Sequence, residues 1–122
     1  MPLMTARPMI IDETTEDGIH IVAPAGRIDT TTSGGLDDVL RRLVDDGVRR
    51  ILVDFSDVDY ISSAGLRVFL VLAKRMKDEQ GRLVLCGLPQ PVRQVFHLAG
   101  FMPLFTVEPS RAAGLASFVS GT

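Results

Sequence analysis

Apolar residues recur along the chain in two rhythms, and the changes between them mark out its elements. Alternating or continuous apolar runs at 9–14, 18–24, 51–55, 83–86 and 104–107 predict strands, while apolar positions at helical spacing predict helices between them. Thr15, Glu16, Asp17 and Gly18 carry an Asp-Gly turn signal, so the first two strands are expected to pair as a hairpin. Residues 26–33 read as a loop, after which Ser33 can cap a helix that places Leu36, Val39, Leu40, Leu43 and Val44 on one face. Gly34 and Gly35 weaken its first turn, each by roughly 0.5–1 kcal/mol, and Gly47 stops it. The near-continuous apolarity of 51–55 predicts a strand buried on both faces, as in a parallel sheet covered by helices.

A second helix is expected over about 64–79. At 100° per residue Leu66, Phe69, Leu70, Ala73 and Met76 form the stripe that faces the sheet. Val68, Val71 and Leu72 fall roughly opposite, where either a neighbouring helix covers them or they offer an apolar patch to a partner. Gly81 ends this helix, a third spans 91–98 and closes at Gly100, and Ser110 caps a last one carrying Ala113, Leu115, Ala116 and Phe118. The order β-β-α-β-α-β-α-β-α describes an α/β fold with a mixed sheet, an N-terminal β-hairpin, right-handed crossovers and about four α-helices. Residues 8–119 fit one domain, with 1–7 as a flexible tail.

The 122 residues are enough to bury a core without disulfides or a structural metal. Thirteen basic against fifteen acidic residues leave a net charge of -2, which gives no general drive toward nucleic acid or an anionic membrane. A protein partner or small ligand is the better expectation. The single Cys86 lies in a strand-like run and reads as a buried thiol, consistent with a reducing compartment. No apolar run reaches the ~18 residues needed to span a bilayer, so the expectation is a soluble, cytoplasmic protein without membrane insertion.

The stretch Ile61-Ser62-Ser63-Ala64-Gly65-Leu66 joins the central strand region to the second helix. A hydroxyl there can accept from an early helical amide, and the unpaired amides of a helix start favour an anion. Hydrolysis by Ser63 would need a base, an orienting acid and a Gly-x-Ser-x-Gly elbow, and the first glycine is missing. Two histidines, His20 and His97, and one cysteine far apart match no zinc spacing, and no phosphate-binding glycine motif is present. The expectation is a non-enzymatic protein with no cofactor or metal. From spacing alone, Ser62 and Ser63 read as a helix cap, Asp29 as a turn acid and Asp54 as a strand-end acid.

Three blocks together change that reading: Gly26-Arg27-Ile28-Asp29, then Val53-Asp54-Phe55-Ser56 through Ile61-Ser62-Ser63-Ala64-Gly65-Leu66, and finally 92–101. In order and spacing they resemble the bacterial anti-sigma-factor antagonists, the stand-alone STAS domains, over nearly the whole chain. The resemblance implies a STAS-like mixed sheet and a serine, Ser63 here, phosphorylated by a kinase that is also the anti-sigma factor. It implies further that the unphosphorylated protein binds this anti-sigma factor and frees the sigma factor, with a serine phosphatase as a further partner. Asp29, Thr30 and Thr31, together with Ser62, Ala64, Gly65, Arg67 and Val68, are the partner-facing residues it suggests. The sequence departs from the family at Ser62, where many members carry Asp. A STAS interaction subunit of a membrane transport or signalling complex, without a phosphorylation cycle, is the alternative.

Overall fold

The computed structural model describes residues 9–120, so the tail expected at 1–7 lies outside the described residues. The expected hairpin is present: β1 (Ile10–Glu16) runs antiparallel to β2 (Ile19–Ile28), turning through Asp17 and Gly18, both at positive φ. Then follow α1 (Ser33–Asp45), β3 (Arg50–Asp54), β4 (Val58–Ile61), α2 (Ser63–Asp78), β5 (Arg82–Cys86), α3 (Gln90–Leu98), a 3-10 turn at Met102–Leu104, β6 (Thr106–Glu108) and α4 (Arg111–Ser120). The sheet order is β1-β2-β3-β5-β6, parallel from β2 onward, and β4 adds to β2 off this path.

Successive strand residues point to opposite faces, and two cores follow. Ile51, Val53 and Leu85 face α1, α2 and α3, where Leu40, Phe69 and Phe96 join them. Leu52, Val84 and Cys86 face α4 and meet Phe118. Burial, and after it the neighbouring Asp54 charge, push the Cys86 thiol pKa up to about 12, so the thiol stays protonated.

Four local expectations are corrected. A strand absent from the predicted order, β4, occupies residues to which the apolar pattern assigns no element, between the strand expected at 51–55 and the second helix. Its burial pattern does not alternate, because only Val58 and Ile61 turn inward. With β4 as partner, β2 extends through Ile28, so 26–28 is strand and not loop; the pairing shifts register at Gly26, whose φ is 107°. The last strand lies at Thr106–Glu108 instead of 104–107, since Pro103 sits in a 3-10 turn that takes Leu104. On α2 the fully buried large side chains are Leu66, Phe69, Leu72 and Met76. Leu72 therefore replaces Leu70 and Ala73, which are only half-buried, because α1 packs along the flank of α2 and widens its buried arc on that side.

Candidate functional site

β2 and β4 end side by side, and this pairing builds the site. Ile28 is in register with Ile61, and the Ser62 amide donates to the Ile28 carbonyl at 2.8 Å. The residues that follow these strand ends, Asp29 on one and Ser62 with Ser63 on the other, are thereby neighbours. Gly65 allows the first turn of α2 to sit this low over the strands. A β-carbon there would lie 2.6 Å from Ile28 Cγ2 and 2.8 Å from Ile61 Cγ1, closer than packed carbons approach.

The two serines differ in what their hydroxyls do. Ser62 has extended backbone and is the N-cap; its hydroxyl oxygen accepts from the Gly65 amide at 3.2 Å. Ser63 is the first helical residue and is exposed. A helix leaves its first amides without intrahelical partners, and Ser62 satisfies that of Gly65. Ser63 therefore stands at the positive end of the helix dipole, on the turn whose first amides have no intrahelical partners.

The facing loop is ordered by one carboxylate. Asp29 Oδ1 accepts from the Thr31 hydroxyl at 2.7 Å, the Thr31 amide at 2.9 Å and the Thr32 amide at 3.3 Å. These bonds, the Thr31 hydroxyl first, hold the Asp29 carboxyl below its ordinary pKa. The Thr32 hydroxyl in turn donates to the Arg27 carbonyl at 2.7 Å, and the Ser33 amide donates to the Asp29 carbonyl at 2.8 Å. Ser33 is therefore the first residue of α1, not its cap, and Asp29 organises the helix entry.

The site also contains a pair that the sequence reading missed. Arg27 and Tyr60 stand opposite each other on β2 and β4, with the guanidinium 4.2 Å from the ring centroid. Arg27 also reaches Asp29 Oδ2 at 3.6 Å. The usable signal was the two-residue spacing of Arg27 from Asp29 and of Tyr60 from Ser62, which puts each pair on one strand face; it is invisible without β4.

Of the other expected residues, Thr30, Thr31 and Arg67 are exposed, while Ala64 and Val68 are half-buried on the α1-facing side of α2. Gly65 is buried beneath the helix start, so its part is to seat the helix. Asp54 lies elsewhere, 7% exposed. Burial would raise its pKa, but the Ser56 hydroxyl at 2.5 Å, the Ser56 amide at 3.0 Å and Arg111 Nε at 2.9 Å outweigh that and hold it low. It ties the start of α4 to the end of β3. His20 pairs with Ile51 far from the β2 end, and His97 is on the last turn of α3, so neither is built into the serine site.

The STAS domain family model matches residues 11–114. The chain belongs to the STAS domain family. Among its relatives, BtrV of Bordetella bronchiseptica, named as an anti-sigma factor antagonist, is 44% identical over 102 residues, which is 84% of this chain and 88% of that protein. The anti-sigma-B factor antagonist of Staphylococcus aureus is 30% identical over 98 residues, 80% of this chain and 91% of its own. An anti-sigma factor antagonist from Mycobacterium paratuberculosis shares the STAS fold with a TM-score of 0.84 at 23% identity, covering 93% of this chain and 97% of the other. No helix of this STAS domain is long and apolar enough to cross a membrane among the described residues.

Proposed function

We propose that this STAS domain is an anti-sigma factor antagonist switched by phosphorylation of Ser63. Unmodified, it binds an anti-sigma factor that is also a serine kinase and so releases a sigma factor. The kinase transfers a phosphoryl group to the Ser63 oxygen, which ends the binding, and a serine phosphatase restores it. The observation that carries this reading is the division between the serines: Ser62 is engaged by the Gly65 amide, whereas Ser63 is exposed on the first turn beside the 29–32 loop. The relatives named as anti-sigma factor antagonists support the choice of partner.

The test compares the proteins recovered from source cells with Ser63→Ala and with Ser63→Asp. A serine kinase retained by the alanine form and lost by the aspartate form is expected. Recovery of the same proteins by both forms, or of a membrane transporter by both, would contradict the proposal.

A further inference from the structure

Ser63, Arg67, Val71 and Arg75 follow one another at four-residue spacing on α2, so they line one side of the helix over roughly 18 Å. Val71 is 50% exposed, the one large apolar side chain of α2 left so open. It faces α1 across a groove whose floor includes Leu40, Val44 and Leu72. The groove continues along Arg67 to Ala64, next to Ser63. Its charges are unequal in availability. Arg41 is held by Asp37 at 3.1 Å, and Arg75 by Asp45 and by Glu79. Arg67 has no carboxylate within ion-pair distance among the described residues.

We infer that the α1–α2 groove docks an amphipathic helix of the anti-sigma partner, with an apolar face over Val71 and a carboxylate on Arg67. The inference rests on the partner reading above. Both walls are helices, whose backbone bonds are internally satisfied, so the occupant is held by side chains and not by strand addition. The groove is about three helical turns long, it is apolar at its centre, and its one uncommitted charge is positive. It also opens at Ser63, so a phosphate there stands one turn from Arg67 and competes with the partner's carboxylate for the same guanidinium.

The probe is the anti-sigma factor recovered with Ser63→Ala, purified and titrated calorimetrically against the full chain. Val71→Glu and Arg67→Glu should each weaken binding at least about tenfold, while Gln94→Glu, on α3, stays within about 1.5-fold. Melting curves check folding; should Val71→Glu be unstable, Val71→Ala replaces it, with a loss of about threefold expected. Unchanged affinity in the folded Val71 variant overturns the inference. So does a wild-type dimer in light scattering that Val71→Glu makes monomeric, because the groove would then belong to a second copy. Ser63→Asp in the same titration tests the phosphorylation reading separately. If it binds like wild type while Val71→Glu does not, the groove stands and the switch falls.

Discussion

At Ser62 the hydroxyl oxygen is occupied by the Gly65 amide, so a kinase acting there would first have to break a helix cap. Removing such a cap costs about 0.5–2 kcal/mol. Ser63 carries no such burden, and phosphopeptide mapping after incubation with the kinase and ATP should find phosphate on Ser63 alone. Phosphate on Ser62 with Ser63 bare would refute the assignment. The sequence shows two serines at a helix start but not which of them caps it, because that depends on a boundary of one residue. Asp54 presents a similar case. It reads as a strand-end acid, but only the folded chain brings Arg111 to it. A carboxyl with its pKa lowered by folding stabilises the native state above its unfolded value, about 3.9 for Asp, and loses that contribution as the pH falls through the folded value. Asp54→Asn should lower stability at pH 7 by about 1–3 kcal/mol and flatten the fall in stability below about pH 4, as urea titrations across that range would show. An equally steep acid fall in the variant would assign the dependence to other carboxyls.

The elements that place the site are the ends of β2 and β4 and the start of α2. β2 and α2 announce themselves by their apolar rhythm, whereas β4 does not: its four residues turn only Val58 and Ile61 inward, with Asp59 and Tyr60 exposed between them. Losing that strand from the sequence reading also hid the Arg27–Tyr60 stack and the extension of β2. The α2 face was legible in period but not in direction, since the neighbour that buries Leu72 is α1, distant in sequence. Gly65 belongs to this scale, because the contact it permits is between a helix and two strands. Gly65→Ala would push a methyl to within 2.6 Å of Ile28 and 2.8 Å of Ile61. Overpacking of this kind costs about 1–3 kcal/mol. Denaturant unfolding should show that loss, and phosphorylation of Ser63 should slow as the helix start lifts from the strands. Wild-type stability in this variant would mean that the helix shifts freely.

At the scale of the whole fold, the packed layers and the proposed switch are kept apart. One face of the sheet is packed by three helices and the other by α4, with Asp54 and Arg111 clamping α4 in place, while Ser63 and the 29–32 loop stand at the strand ends. A phosphate on Ser63 adds about -1.5 to -2 charge at pH 7 and lies at the amino end of α2, which favours an anion by roughly 0.3–1 kcal/mol. The domain should therefore keep its fold when modified, and the penalty falls on the complex, where a dianion must be dehydrated against the partner. The most direct test is the affinity of the anti-sigma partner for Ser63-phosphorylated and unmodified protein, measured by calorimetry on samples whose melting temperatures are recorded alongside. The account predicts a loss of roughly 3 kcal/mol, more than about a hundredfold in affinity, with the melting temperature unchanged or slightly raised. Equal affinity for the two forms, or a phosphorylated domain that melts well below the unmodified one, would contradict it.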